Sequence, residues 1–157
     1  TGKFISETIE TIGTGFFTKR LNYSNKNVSK EIIDLTIWDL GGQIRFRHIV
    51  KEFMMGAAGA LLFFDLTQYK TFERLEEWLE LIHHADKGED SEVPILLVGT
   101  KADLDDFITV PKAEIITFVE KHDLLGYYET SAKSGKNVHK AVESLVDFIF
   151  QTNKGIF

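Results

Sequence analysis

The sequence has 157 residues and a mass of 17.9 kDa, which suits one domain with a single hydrophobic core. Its 18 basic and 24 acidic residues give a formal net charge of −6, which argues against nucleic-acid binding through a broad basic face. Cysteine is absent, which excludes disulfides, thiolate metal sites and lipidated cysteines within these residues, and no apolar run approaches the roughly 18 residues of a membrane helix.

Two segments near the start of the sequence predict a β-hairpin. Gly15 to Tyr23 and Glu31 to Trp38 are each rich in aromatic and β-branched residues, which favour strands. The polar stretch from Ser24 to Asn27 lies between them and is typical of a turn. We therefore expect an antiparallel pair of strands at one edge of a sheet.

Two continuous apolar runs predict strands that are buried on both faces. The run from Ala57 to Asp65 is too continuous for a half-exposed strand, and it is too short and aromatic for an ordinary helix. The run from Val93 to Thr100 is similar, and Pro94 suits its start because a missing N–H costs little there. Strands of this kind are typical of parallel sheets.

Three stretches with helical spacing of apolar residues alternate with these runs, namely Thr71–His84, Lys112–His122 and Asn137–Gln151. The residues predicted to face inward are Phe72, Leu75, Trp78, Leu79, Ile82, Ile115, Ile116, Val119, Val138, Val142, Leu145, Val146 and Ile149. Buried strands that alternate with helices predict right-handed βαβ units. The fold class is therefore α/β with a mainly parallel sheet.

Three short segments follow predicted strands, at the sheet edge where open α/β folds bind ligands. In the first, from Asp39 to Gln43, an aspartate at a strand end can hold Mg²⁺ through water. Its glycines allow a backbone N–H to approach a phosphate, and Gln43 can orient an attacking water. On this segment alone, a glycine-rich turn with an incidental acid explains the pattern equally well.

The second segment is Thr100-Lys101-Ala102-Asp103. The carboxylate of Asp103 can accept two parallel N–H bonds from guanine, and the stem of Lys101 can lie over a base while its ammonium stays wet. A solvated exit from a strand is an equally good interpretation of these four residues. The third segment, from Glu129 to Lys133, has small residues that let backbone N–H groups face a ligand, although alone it favours a plain loop.

Together these segments resemble the motifs of Ras-like small GTPases, most closely of the Rab branch, over essentially the whole chain. Asp39–Gln43 is similar to the switch II motif D-x-x-G-Q, Thr100–Asp103 to the guanine motif [N/T]-K-x-D, and Ser131-Ala132-Lys133 to S-A-K. Glu10–Phe16 resembles Rab switch I, with Thr11 at the invariant threonine. Gly41 and Thr100 depart from the usual Rab residues toward Arf-like and Rho patterns, which leaves the branch open.

The resemblance implies one small-GTPase domain over residues 1–157, with a P-loop-NTPase-type sheet covered by helices on both faces. It implies that the protein binds GTP or GDP with Mg²⁺ and hydrolyses GTP. Thr11 and Asp39 would hold the metal, Thr11 and Gly42 would contact the γ-phosphate, and Gln43 would be the catalytic residue that positions water. The remaining implied GTP-binding residues are Thr100, Lys101, Asp103, Ser131, Ala132 and Lys133.

The resemblance also implies partners, namely exchange factors, GTPase-activating proteins and effectors. The implied effector-binding residues are Ile12, Gly13, Phe16, Trp38 and Phe53. Core packing explains the three aromatic residues equally well. The family further implies a cytoplasmic monomer that serves trafficking or signalling and attaches to a membrane peripherally in its full-length form.

One family motif is absent, because G-x-x-x-x-G-K-[S/T] occurs nowhere in the 157 residues. Gly2-Lys3-Phe4 contains a Gly-Lys pair, but Phe4 has no hydroxyl for Mg²⁺. We therefore expect that the first strand, the phosphate loop and the first helix of the family are missing, and we favour truncation over natural loss. The competing hypothesis is a pseudo-GTPase that binds proteins and no nucleotide.

Overall fold

The computed structural model of the protein describes residues 14–25, 28–41, 54, 56–85 and 93–152. In chain order, the elements are β1 (Thr14–Asn25), β2 (Val28–Leu40), β3 (Ala60–Asp65), α1 (Tyr69–Glu73), α2 (Leu75–Ala85), β4 (Ile95–Thr100), a 3₁₀ turn (Asp105–Phe107), α3 (Lys112–Lys121), β5 (Tyr127–Glu129) and α4 (Val138–Thr152). No helix within these residues combines the length and the hydropathy needed to cross a membrane.

The strands β3, β4 and β5 form a parallel sheet in that order. β4 lies in the middle, and its residues from Ile95 to Gly99 are all buried, as a strand covered on both faces should be. Asp65 at the end of β3 lies opposite Thr100 at the end of β4. The sheet confirms the α/β fold with parallel strands that the sequence predicts.

Helices cover both faces of this sheet. On one face, Leu62, Phe64 and Leu97 pack with residues of α1, α2 and α3; this cluster includes Phe72, Leu75, Leu79, Ile82, Ile115 and Phe118. On the other face, Leu96 and Val98 pack against Ala141 and Leu145 of α4. Since each fully buried leucine contributes about 2 kcal/mol, these two layers supply the main driving force for folding.

The strands β1 and β2 form the predicted antiparallel hairpin, paired from Thr14 opposite Leu40 to Asn25 opposite Val28. Within the described residues, the hairpin is a two-stranded sheet of its own. The prediction that it lies at the edge of the parallel sheet is therefore wrong for this part of the chain. Among the described residues, β1 and β2 pair only with each other. No described strand lies between β2 and β3 to join the two sheets.

Tyr23 attaches the hairpin to the helix α4. Its side chain is 7% exposed, its hydroxyl donates a hydrogen bond to Asp147, and its ring centroid lies 5.0 Å from that of Phe150. Among the hairpin residues whose burial is described, only Tyr23 is buried. At the other end of the hairpin, Leu40 packs partly against the larger core cluster.

Three predicted inward positions are exposed instead. Phe63 lies on an outer strand of the sheet and is 55% exposed, so β3 is not buried on both faces. On α3, the buried stripe runs from Ile115 to Phe118, and Ile116 lies about 100° around the helix from Ile115. Val138 is the first residue of α4 and precedes its buried turns.

The prediction of one helix from Thr71 to His84 is also imprecise. The chain forms α1 and α2 there, and Arg74 separates them. Helix α1 begins at Tyr69, two residues before the predicted start at Thr71. The apolar stripe nevertheless faces the core as predicted, since Phe72, Leu75, Leu79 and Ile82 are all buried and Trp78 is partly buried.

Gly99 of β4 offers a test of packing in the centre of the sheet. A Cβ at this position would lie 2.6 Å from the hydroxyl oxygen of Tyr127 and 3.1 Å from Leu66. We therefore expect Gly99→Ala to lower the free energy of unfolding by about 1–3 kcal/mol, measured by urea denaturation.

Tyr127→Phe is the matched control for this prediction. The buried hydroxyl of Tyr127 has no hydrogen-bond partner among the described residues, so its removal should not destabilise the protein. In the double variant, the removed hydroxyl makes room for the new methyl group, and part of the lost stability should return. Equal destabilisation by Gly99→Ala in both backgrounds would contradict this account.

Candidate functional site: the carboxyl edge of the parallel sheet

The parallel order of β3, β4 and β5 brings three chain segments to one edge of the sheet. Asp65 ends β3, Thr100 ends β4 and Glu129 ends β5. The loops that follow are joined by backbone hydrogen bonds: the N–H of Ala102 donates to the carbonyl of Thr130 at 2.9 Å. The second and third sequence motifs are therefore neighbours in space. They lie at the carboxyl ends of the strands, where open α/β sheets bind their ligands.

Ser131 and Asp103 form the centre of this edge. The hydroxyl of Ser131 donates to Oδ1 of Asp103 at 2.6 Å and accepts the N–H of Ser134 at 3.0 Å. Ser131 is fully buried, so its hydroxyl is fixed in this role. The ammonium of Lys133 lies 4.0 Å from Oδ2, and the Asp103 side chain is 20% exposed. The carboxylate is thus held at the surface of the site with a defined orientation.

The charge of Asp103 follows from the same contacts. The hydrogen bond from Ser131 lowers the pKa of the carboxyl group, burial raises it, and the charge of Lys133 lowers it again. The net pKa of Asp103 lies below its ordinary value of 3.8. At neutral pH the group is therefore an anion with two acceptor oxygens aimed at the sheet edge.

The loop after β5 is held by its own hydrogen bonds. The N–H of Ser131 donates to the carbonyl of Lys136 at 3.1 Å, and the side chain of Asn137 donates to the carbonyl of Glu129 at 2.9 Å. Gly135 has a φ of 79°, which a residue with a side chain rarely adopts. This turn leaves Ala132 and Lys133 exposed at the edge.

Lys101 makes an ion pair that the sequence motifs did not indicate. Its ammonium lies 2.6 Å from Oδ2 of Asp65, whose side chain is 11% exposed. Sequence reasoning missed Asp65 as a site residue. The sequence did contain a signal, because Asp65 directly follows the apolar run from Ala60 to Phe64. A charged side chain is uncommon at a buried position unless it has a partner.

Thr100 has a role within the sheet. Its hydroxyl donates to the backbone carbonyl of Phe64 at 2.9 Å and so links β4 to β3. The side chain is therefore engaged by the sheet itself, and a ligand contact by Thr100 stays a prediction. The six predicted residues of the base site lie in two neighbouring loops. Thr100, Lys101 and Asp103 belong to the end of β4 and the loop after it, and Ser131, Ala132 and Lys133 belong to the loop after β5.

The predicted phosphate and metal residues are largely outside the described part of the chain. Asp39 lies near the end of β2, opposite Gly15. Thr11, Ile12, Gly13, Gly42, Gln43 and Phe53 lie outside the described residues. The described residues contain no group of three or more histidine or acidic side chains suited to a metal ion. Metal binding by Thr11 and Asp39 therefore stays a prediction.

Two of the predicted effector-binding residues form an exposed aromatic pair on the hairpin. Phe16 and Trp38 lie opposite each other in the strand register, and their ring centroids are 4.9 Å apart. They are 56% and 45% exposed. Packing in the core therefore does not explain these two aromatic residues.

The comparisons with known proteins agree with this fold. A sequence model of the Ras family matches residues 1–151, and the chain therefore belongs to the Ras family of small GTPases. It is Rab-like: over 151 residues it is 36% identical to the Ras-related protein RABA4b of Arabidopsis thaliana. That match covers 96% of this chain and 63% of the relative, so the chain spans less than two thirds of that protein's length.

Ser131→Ala tests the origin of the low Asp103 pKa. Without the hydroxyl, the pKa of Asp103 should rise toward its ordinary value of 3.8, as followed by NMR titration of the carboxyl carbon. Because a depressed folded pKa stabilises the protein above the unfolded pKa, this contribution is lost as the pH falls through the folded pKa. The stability gap between the parent and Ser131→Ala should therefore shrink in acid.

Ser144→Ala is the matched control, because it removes a serine that bonds the hydroxyl of Tyr128 at 2.7 Å and not Asp103. It should leave the Asp103 titration unchanged. An identical Asp103 pKa in the parent and in Ser131→Ala would contradict the assignment.

Proposed function

We propose that this domain binds guanine nucleotides and that the complete protein hydrolyses GTP as a Rab-like switch in vesicle trafficking and signalling. The observation that carries the proposal is the carboxylate of Asp103, which Ser131 orients through a 2.6 Å hydrogen bond. Guanine presents two neighbouring N–H donors on one edge, and an ionised carboxylate accepts both at once. The ammonium of Lys133 lies 4.0 Å from Oδ2 of the same carboxylate, and Lys101 lies two residues before Asp103 in the same loop.

The same geometry supports selection against adenine. Adenine has an acceptor nitrogen where guanine has one of its two N–H donors, so it would place a lone pair against the Asp103 carboxylate. A buried acceptor that faces another acceptor loses its hydrogen bond and keeps its desolvation cost of about 1–3 kcal/mol. We assign the backbone N–H of Ala132, on the exposed turn, to the carbonyl oxygen of guanine.

The phosphate end is proposed from the family motifs. Thr11 and Asp39 would hold Mg²⁺, the backbone N–H of Gly42 would contact the γ-phosphate, and Gln43 would orient the attacking water. When bound, Mg²⁺ would offset the charge that develops on the phosphates. The phosphate-loop motif does not occur in these 157 residues, so the donors that family members place there are not supplied by them.

A protein-binding function of the hairpin has its own support. Phe16 and Trp38 place two large aromatic rings on the surface, 56% and 45% exposed, and such residues dominate many protein interfaces. We propose that effectors contact this pair, together with Ile12, Gly13 and Phe53. The same surface serves the second candidate function, in which the domain binds proteins and no nucleotide.

Nucleotide binding decides between the two functions. Fluorescent GDP and GTP would be titrated with Mg²⁺ into the 157-residue chain and into a form extended upstream of Thr1 by a phosphate-loop segment. We expect binding by the extended form and weaker binding by the 157-residue chain, which carries no phosphate-loop motif. Binding by neither form would overturn the switch function and favour the protein-binding module.

Asp103→Asn tests the base site within the extended form. The substitution replaces one acceptor oxygen with an NH₂ donor that faces an N–H of guanine, so the dissociation constant for GDP should rise at least tenfold, equal to about 1.4 kcal/mol. Asp106→Asn removes the same charge from an exposed neighbouring position and should change the constant by less than about twofold. Equal effects of both substitutions would contradict a specific role for Asp103.

A further inference from the structure

Asp65 is a buried carboxylate whose two oxygens have different partners. Oδ1 accepts the N–H of Thr67 at 2.9 Å and the hydroxyl of the same residue at 2.7 Å. Oδ2 accepts the side-chain amide of Gln68 at 3.0 Å and the ammonium of Lys101 at 2.6 Å. The first oxygen therefore closes the turn after β3, and the second reaches across to the loop after β4.

The position of this carboxylate is fixed by backbone contacts on both sides. The N–H of Asp65 donates to the hydroxyl of Thr71 at 2.8 Å, which ties the end of β3 to α1. The N–H of Leu66 donates to the carbonyl of Thr100 at 3.2 Å, which ties it to β4. Burial raises the pKa of Asp65, but the hydrogen bonds from Lys101 and Thr67 outweigh burial, and the pKa lies below its ordinary value. The carboxylate is therefore a charged, prearranged acceptor.

Lys101 combines an uncommon backbone conformation with the ion pair to this acceptor. Its φ is 62°, in the left-handed region that residues other than glycine rarely adopt. The N–H of Leu104 donates to the Lys101 carbonyl at 3.0 Å and closes a turn around it. The ammonium is held by Asp65, yet the side chain is still 44% exposed.

An exposed methylene stem with a fixed end suits contact with a flat aromatic ring. Asp103, the proposed acceptor for the base edge, lies two residues after Lys101 in the same loop. A lysine that was free in solution would lose much of its rotamer freedom on covering a base. A lysine whose stem is already held loses less, so binding becomes tighter without any additional contact to the ligand.

We propose that Asp65 is a positioning residue of the base site, which holds the ammonium of Lys101 so that its stem forms a wall of the guanine pocket before nucleotide binds. The inference rests on the proposed function and goes beyond the three motifs, none of which contains Asp65. Asp65 does not touch the nucleotide in this arrangement. Its effect on affinity passes through Lys101 alone.

A double-mutant cycle tests this path in the form extended upstream of Thr1. The dissociation constant for fluorescent GDP would be measured for the parent, Asp65→Asn, Lys101→Met and the double variant. We expect Asp65→Asn to weaken binding about tenfold, since an unheld Lys101 would lose about 1–2 kcal/mol of rotamer freedom when it covers the base. In the Lys101→Met background, Asp65→Asn should have no further effect on the constant, because its only path to the ligand is already removed.

Lys101→Met keeps an unbranched side chain of similar length and leaves the hydrogen bonds of Asp65 to Thr67 and Gln68 available. If Asp65→Asn fails to fold, Lys101→Met therefore removes the ion pair while it leaves the turn after β3 intact. Asp106→Asn is the matched control for the loss of one carboxylate and should bind GDP within about twofold of the parent. A tenfold loss from Asp65→Asn in both backgrounds would overturn the proposal, because Asp65 would then act through the general structure of the turn. An effect no larger than that of Asp106→Asn would overturn it as well.

A measurement without nucleotide separates this inference from the proposed function. In the nucleotide-free protein, NMR of labelled lysine should show an ordered, slowly exchanging Lys101 ammonium that Asp65→Asn abolishes and Asp106→Asn leaves in place. If the parent binds no guanine nucleotide, the proposed function fails, and this signal alone decides whether Asp65 holds Lys101. If Lys101 is equally mobile in the parent and in Asp65→Asn, the positioning role is overturned even if nucleotide binds.

Discussion

Parallel pairing of β4 with a strand on each side is the constraint on which the site depends. Because β3, β4 and β5 all point the same way, the chain must leave the sheet three times at one edge. Asp65, Lys101, Asp103 and Ser131 are far apart in the sequence, yet this constraint makes them neighbours. The buried layers on both faces of β4 then keep that edge in register, so the packed core positions the site.

The parts of the fold that the sequence predicts are those governed by strong periodic burial. β4 is apolar from Ile95 to Val98 because both of its faces are covered, and the stripe on α2 is apolar because one side faces the sheet. Exposure at single positions was harder to predict. Ile116 and Phe63 are as hydrophobic as their buried neighbours, and only the crossing of particular helices over particular strands leaves them in contact with solvent.

The candidate site divides in the same way. The motifs predicted that Asp103 and Ser131 belong together, and the structure supplies the hydrogen bond that joins them. The partner of Lys101 could not be predicted, because Asp65 lies 36 residues earlier in the chain, and no local pattern relates the two. The strand register, which places Asp65 beside Thr100, creates that contact, and register depends on the whole sheet.

The attachment of the hairpin through Tyr23 has a mechanical consequence. Phe16 and Tyr23 lie on the same strand, seven residues apart, which corresponds to about 23 Å of extended chain. Phe16, near one end of this strand, forms the exposed aromatic pair with Trp38 of β2, and Tyr23, near the other end, contacts Asp147 and Phe150 of α4. The hairpin is therefore attached at both ends, because Leu40, two residues from Trp38, packs against the larger core cluster. A protein that displaced the aromatic pair from this position would have to disturb the packing of Leu40 before it affected the Tyr23 contacts.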